Sequence, residues 1–463
     1  MTTTATTSAP AHQEKHPKGL YVLFATEMWE RFSFYSMLAM FTLYLRDTTG
    51  QGFAWSADEA TTLYANYLMF VYASPLIGGW LADRKLGYRK AVMIGGFFFM
   101  AGHLLLSIRS IPIVYVALAC LVIGNGFFKP NVSAMVGNLY SEGSHLKDRA
   151  YNIFYMGINV GAFLAPVVAE IVQRNWGFHP AFAVAAGGMA ISVFILWKFK
   201  RFIEGADRPG RATADEMADS AAVTVDAPPT ATSRQTAANL SRRETMDAIP
   251  EWKRIGALIV VFLIVIVFWM VFHQNGSTLT YWANDNTAWK VSGIVSLAIN
   301  AGWVIILTFP LVAFWKWLDS KGLEPSTPTK MAFGMMLTGL SFFILFIAAK
   351  VGEGTVTGSD PYAFKVSPAW LIGAYGVLTL GELMLSPMGL SLVSKVAPVR
   401  FRGLMMGGWF VATAIGNKLT QIGELWDDWL HSTFWLTLSG AALFMAIVLL
   451  VLLRPLKKAM PGV

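Results

Sequence analysis

One short segment of the sequence places three charged residues within an apolar stretch. Glu27, Glu30 and Arg31 follow an i, i+3, i+4 spacing, and Tyr35 lies one turn later, so a helix would carry all four on one face. A single charge at the centre of a membrane helix costs roughly 2.5–3.5 kcal/mol. Because three charges in one turn are too costly against lipid, the pattern predicts a polar cavity in which the acids pair with Arg31 or with another helix. A snorkelling cluster at the membrane interface is the alternative.

Two further charges lie alone in apolar stretches. Lys129 follows a glycine-rich run and precedes Pro130 and Asn131, which predict a local break that opens the helix backbone towards a cavity. A snorkelling lysine at a helix end is the alternative interpretation. Glu382 lies in the second half of the chain, where a buried carboxyl can change its charge state with the cation that approaches it. Such a group suits the coupling of a proton to a zwitterionic ligand.

The histidines in apolar stretches receive different interpretations. His273 could take up a proton, since the reference pKa of imidazole is about 6.5. The alternative is a neutral histidine that is hydrogen-bonded in a helix interface. His103 follows Gly102 in an apolar run and is predicted to be structural.

The composition indicates that membrane helices position these residues. Of the 463 residues, 55% are hydrophobic and 14% are charged, and the mean hydropathy is +0.50. A soluble domain carries about 25% charged residues. Apolar runs long enough to cross a hydrocarbon core of about 30 Å recur along the chain. The composition therefore predicts a polytopic α-helical membrane protein and nearly excludes a soluble enzyme.

Hydropathy predicts an all-α membrane protein with twelve transmembrane helices in two six-helix bundles. The spans are 20–45, 57–82, 89–108, 112–136, 149–173, 180–199, 255–281, 290–317, 330–350, 367–394, 402–424 and 432–454. The predicted domains are an N-terminal tail (1–19), a first bundle (20–200), a polar linker (201–251), a second bundle (252–455) and a C-terminal tail (456–463). Similar loops at 78–91 and 314–330 support a transporter built from two parallel repeats.

The basic residues predict the orientation. Only six of the 36 Lys and Arg residues fall in loops on the side opposite the termini, and most of the others lie on the same side as the termini. By the positive-inside rule, both termini are expected in the cytoplasm. The chain itself is expected to be a multi-pass protein of the inner cell membrane.

Four ordered motifs resemble the signatures of the proton-coupled oligopeptide transporter (POT) family of the major facilitator superfamily. They are Glu27-x-x-Glu30-Arg31, Gly79-Trp80-Leu81-Ala82-Asp83-Arg84, Phe154-Tyr155-x-x-Ile158-Asn159-x-Gly161 and Gly381-Glu382-x-x-x-Ser386-Pro387. The resemblance covers about residues 20–424. It implies the superfamily fold, proton-driven import of di- and tripeptides by alternating access, a peptide bound between the bundles, and a monomer.

The resemblance also implies roles for individual residues. Arg31 and Lys129 would hold the peptide carboxylate, and Glu382 would meet the amino group. The implied substrate-binding set is Arg31, Tyr35, Tyr72, Lys129, Asn159, Asn300, Glu382, Ser386 and Trp409. The implied proton-coupling set is Glu27, Glu30, Arg31 and Glu382, with His273 as a further candidate, and the implied gating loop holds Asp83 and Arg84.

The chain departs from the family pattern at three positions. Phe34 stands where many relatives have tyrosine, Leu38 where many have arginine, and His273-Gln274 where the seventh helix often carries Glu-Gln. In relatives that arginine and glutamate can pair across the extracellular gate, so this salt bridge cannot form here. These departures keep open a transporter of the same fold for another small anion or a drug-like compound.

The sequence lacks the motifs of other chemistries. It contains no GxxxxGK[ST] phosphate loop, no HExxH, no cysteine cluster and no GxSxG. We therefore expect a transporter rather than an enzyme, no cofactor or metal, no nucleic-acid partner, and a proton gradient as the source of energy.

Overall fold

The computed structural model describes residues 16–140, 146–207, 246, 248–398 and 401–461. Six long helices follow one another in the first half. They are α1 (Lys18–Arg46), α2 (Ala57–Leu81), α3 (Tyr88–Leu106), α4 (Ile111–Asn138), α5 (Leu146–Trp176) and α6 (Phe178–Lys198). Most of the predicted linker, residues 208–245, and most of the predicted N-terminal tail, residues 1–15, lie outside the described residues.

The second half repeats this pattern with one broken span. Its helices are α7 (Glu251–Phe272), α8 (Thr278–Asp285), α9 (Ser296–Ser320), α10 (Thr327–Glu353), α11 (Pro368–Val396), α12 (Arg402–Leu419) and α13 (His431–Ala459). A 3₁₀ turn over His273–Gly276 joins α7 to α8, so the two helices form one span. In the described ranges the backbone is helical, apart from loops and an isolated bridge between Thr287 and Val366.

Twelve spans in two bundles confirm the predicted fold class. The buried apolar side chains fall into two clusters that follow the two halves of the chain. Within the described residues, nine spans are long and apolar enough to cross a membrane by composition alone. Among the long helices that do not meet this criterion is α1, which carries Glu27, Glu30 and Arg31. The chain is a multi-pass membrane protein.

Small residues let the helices that carry the charges approach closely. A Cβ atom at Gly78 of α2 would collide with the Gly126 carbonyl of α4. At Gly161 of α5, an added Cβ atom would collide with the Met28 carbonyl of α1. Close backbone contact through small residues is the usual basis of helix packing in membranes. It holds α1, α2, α4 and α5 as one wall.

The predicted break at Pro130 is wrong, because α4 runs without interruption from Ile111 to Asn138. Proline removes the hydrogen bond to the residue four positions earlier and crowds that residue. Here that residue is Gly126, which has no side chain and whose carbonyl packs against α2. Asn131 donates its amide to the Phe127 carbonyl at 2.7 Å. Packing against α2 therefore keeps the helix intact, and the backbone opens instead at residues 273–276.

Candidate functional site

A cavity of about 210 Å³ lies between the two bundles. It is lined by α1, α2, α4 and α5 on one side, and by α7, the 273–276 turn, α9, α11 and α12 on the other. The structure brings all nine predicted substrate-binding residues into its lining: Arg31, Tyr35, Tyr72, Lys129, Asn159, Asn300, Glu382, Ser386 and Trp409. Glu27 and His273 line it as well.

The charges on α1 form a buried cluster. Arg31 Nη2 donates to Glu30 Oε1 at 2.6 Å, and Arg31 Nε contacts Glu30 Oε2 and lies 3.3 Å from Glu27 Oε1. All three residues are at most 3% exposed. Glu30 lies behind Arg31, outside the cavity lining, and holds the guanidinium through two parallel contacts. This burial rules out the interfacial snorkelling cluster.

Lys129 belongs to the same wall, which we call the α1–α4 wall. Its Nζ atom lies 5.1 Å from the ring centroid of Tyr72, a distance typical of a cation–π contact. Among the described residues, no carboxylate lies within 4.0 Å of Lys129. The ammonium therefore faces the cavity with a neutral partner, and the snorkelling alternative is wrong.

Glu382 lies on the opposite wall, which α9 and α11 build. Its Oε2 atom accepts a hydrogen bond from Asn300 Nδ2 at 3.1 Å. The Asn300 amide also donates to Thr379 Oγ1 at 3.0 Å, which fixes its orientation. No basic side chain of the described residues lies within 4.0 Å of Glu382. We call this the α9–α11 wall; its carboxylate is positioned by neutral groups alone.

His273 is positioned by the turn that interrupts the seventh span. Its Nδ1 atom lies 3.3 Å from the Trp269 carbonyl, and Tyr64 of α2 donates its hydroxyl to the His273 carbonyl at 3.5 Å. The residue is 7% exposed. By contrast, His103 is fully buried, and its Nδ1 atom lies 2.8 Å from the Phe99 carbonyl, which confirms its structural role.

The sequence analysis missed several residues of the cavity lining: Tyr64, Tyr155, Trp269, Phe272 and Asn275. Helical spacing contained a signal for two of them. Tyr155 precedes Asn159 by one turn, and its backbone carbonyl accepts a hydrogen bond from the Asn159 side-chain amide at 3.0 Å. Tyr64 lies about two turns before Tyr72 on the same face of α2.

Polar contacts join the two bundles at the end that carries the loop after α1. Arg46 Nη2 lies 3.1 Å from Asp427 Oδ1, and Asp427 Oδ2 accepts from the Ala57 amide at 2.9 Å. Glu170 accepts from the backbone of Ser292 at 2.8 Å and from its hydroxyl. We call these contacts of Arg46, Ala57 and Glu170 with Asp427 and Ser292 the seam. The seam links the two bundles at this end.

The predicted gating residues lie away from the cavity. Asp83 and Arg84 are exposed on a π-helical turn over Ala82–Leu86, at the end of α2 opposite the seam. The guanidinium of Arg84 stacks 5.1 Å from the ring centroid of Trp80. The structure therefore keeps this pair apart from the substrate-binding set.

The chain is similar along most of its length to known transporters. A sequence model described as the POT family matches residues 89–424. The chain is 31% identical to an uncharacterised transporter, YclF, of Bacillus subtilis (strain 168), covering 97% of this chain and 96% of the relative. It is 30% identical to a di-/tripeptide transporter of Lactococcus lactis subsp. cremoris, covering 96% and 97%. A crystal structure of a mutant of peptide transporter POT in complex with alafosfalin superposes with a TM-score of 0.81 at 30% identity, covering 97% of each chain.

Proposed function

This chain belongs to the proton-coupled oligopeptide transporter (POT) family of the major facilitator superfamily, and from that premise we propose that it imports di- and tripeptides with protons by alternating access. It is a transporter and not an enzyme. One observation carries the proposal: two cations and an isolated carboxylate face each other across one cavity between the bundles. A short peptide carries an anion and a cation at its two ends and is complementary to that arrangement.

We assign the peptide carboxylate to Arg31 and Lys129 of the α1–α4 wall. The amino group would lie at Glu382 and Asn300 of the α9–α11 wall. A ligand held in this way contacts both bundles, so its binding favours conformations in which the two walls stay close together. A lone small anion would meet the Glu382 carboxylate without a compensating cation, which favours a peptide over the anion alternative.

The buried cluster on α1 offers a route for coupling. Glu27 and Glu30 hold Arg31 when both are charged. A proton on either acid would remove one negative charge from the guanidinium and leave it free for the peptide carboxylate. An inside-negative potential of 100 mV adds about 2.3 kcal/mol for each charge that enters with the ligand.

Dipeptide uptake into proteoliposomes tests this function. With an acidic exterior and a negative interior, labelled di-alanine should accumulate above its external concentration. An uncoupler should abolish the accumulation. The proposal fails if no accumulation occurs, or if accumulation persists after the gradient has been collapsed.

The remaining parts of the proposal concern setting and gating. We place both termini in the cytoplasm and the chain in the inner membrane, as the loop charges predict. We propose a monomer that uses the proton gradient without a cofactor. Asp83 and Arg84 would act at the cytoplasmic end, opposite the seam.

A further inference from the structure

We infer that His273 is a specificity residue whose Nε2 atom accepts a hydrogen bond from the ligand's peptide N–H, next to the carboxylate. The inference rests on the proposed function and adds a third recognition point between the two charged ends. It gives His273 a binding role in place of the proton-coupling role that the sequence left open.

The tautomer of His273 follows from its bonded neighbour. A carbonyl oxygen only accepts, so the contact of Nδ1 with the Trp269 carbonyl requires a proton on Nδ1. In the neutral ring Nε2 is then a free acceptor. No hydrogen bond from a described residue reaches Nε2, and His273 lines the cavity. An acceptor is thus presented to the ligand.

The surroundings place this acceptor near the carboxylate end of a bound peptide. The ring of Tyr72 lies edge-to-face with His273 at 5.5 Å between centroids, and the same ring contacts the ammonium of Lys129. Tyr64 fixes the turn by its bond to the His273 carbonyl. The donor nearest to a peptide's carboxylate is the N–H of its last residue, and this group is matched to Nε2.

The charges that share the cavity favour the neutral ring. Lys129 on α4 and Arg31 on α1 are cations, and the nearby acids Glu27 and Glu30 already hold Arg31. No carboxylate of the described residues lies within 4.0 Å of the imidazole. A charged His273 would place a second cation against the Tyr72 ring that already contacts the Lys129 ammonium, and it would have no carboxylate partner among the described residues. Coupling therefore stays with the buried acids on α1 and not with His273.

A matched pair of ligands tests the inference. Alanyl-glycine carries the N–H, and alanyl-sarcosine replaces it with N-methyl. We measure inhibition of labelled di-alanine uptake by each dipeptide in the wild type, His273→Gln and His273→Phe. The wild type should bind alanyl-glycine about tenfold more tightly than alanyl-sarcosine, because alanyl-sarcosine cannot donate the hydrogen bond to the buried acceptor. The glutamine variant should keep most of this preference, because its side-chain oxygen accepts.

His273→Phe should bind both dipeptides with a ratio near one. Dividing its ratio by that of the wild type cancels the effect of the methyl group on the ligand itself. An equal preference in the wild type and His273→Phe overturns the inference. A wild type that binds both dipeptides equally well also overturns it, and this second result does not depend on the folding of a variant. If His273→Gln loses uphill accumulation but keeps counterflow exchange, His273 carries protons instead. Failure of both dipeptides to compete would reject the proposed function itself.

Discussion

The two walls of the cavity compensate their buried charges in different ways. On the α1–α4 wall, Arg31 is surrounded by Glu27 and Glu30, so the charges compensate one another within one helix turn. On the α9–α11 wall, the Glu382 carboxylate accepts a hydrogen bond from the Asn300 amide and has no basic side chain of the described residues within 4.0 Å. An internally paired cluster can exchange partners when a proton arrives, whereas an isolated carboxylate gains most from a cationic ligand. The first wall is suited to coupling and the second to recognition.

Arg31→Ala should have the largest effect, because it leaves Glu27 and Glu30 buried without a cation. Removing one partner of a buried pair costs about 3–5 kcal/mol. We expect both uphill uptake and counterflow exchange to be abolished, and a lower melting temperature in detergent. Arg31→Lys is the matched control: it keeps the charge but loses the two parallel contacts, and should recover stability more than transport. Normal transport by Arg31→Ala would show that the α1–α4 wall does not need its internal pair.

Glu30→Gln separates coupling from binding on the same wall. Glutamine keeps the shape of the side chain but cannot gain or release a proton. Uphill accumulation should therefore fall at least tenfold, while counterflow exchange of di-alanine stays within about twofold of the wild type. Glu30→Asp, which still titrates, serves as the control. A Glu30→Gln protein that concentrates dipeptide as well as the wild type would remove Glu30 from the coupling set.

Glu382→Gln tests whether the α9–α11 wall recognises the amino group. Loss of a charge-assisted hydrogen bond costs about 1.5–3 kcal/mol, so the affinity for di-alanine should fall roughly ten- to a hundredfold. N-acetylated di-alanine has no ammonium, and its weak inhibition should change little. The comparison uses competition against labelled di-alanine in both proteins. An equal loss for both ligands would place Glu382 in a structural role.

The charged residues that line the cavity could be predicted from the sequence more reliably than the course of the helix backbone. Glu27, Arg31, Lys129 and Glu382 were identified because a charge in an apolar span has to face a polar space, and that reasoning depends on single helices. The break in α4 was wrong, because packing on α2 holds the backbone around Pro130.

The seam could not be predicted for a related reason. Arg46 and Asp427 are 381 positions apart, and no motif links them. Arg46 is the last residue of α1, whereas Asp427 follows α12, which ends at Leu419 instead of the predicted residue 424. Their pairing depends on how the two bundles dock, which hydropathy and spacing do not encode.

Asp427→Asn should have the smallest effect on transport. We expect it to change the balance between conformations of the two bundles without altering ligand recognition by either wall. Exposed ion pairs contribute about 0–1 kcal/mol, so loss of the contact with Arg46 should shift the balance between conformations about two- to fivefold towards opening at the seam. The neighbouring exposed Asp428 is absent from the seam, and Asp428→Asn is the matched control.

Spin labels on cysteines at Thr49 and Asp285, in a Cys120→Ser background, report the opening, because each site is exposed and lies in a different half. Asp427→Asn should broaden the distance distribution between the labels, and Asp428→Asn should not. Because the seam lies outside the cavity lining, Asp427→Asn should leave the preference for di-alanine over its N-acetylated form unchanged. A change in that preference would mean that the seam also shapes the α9–α11 wall, and the division of labour between the two walls would then extend beyond the cavity.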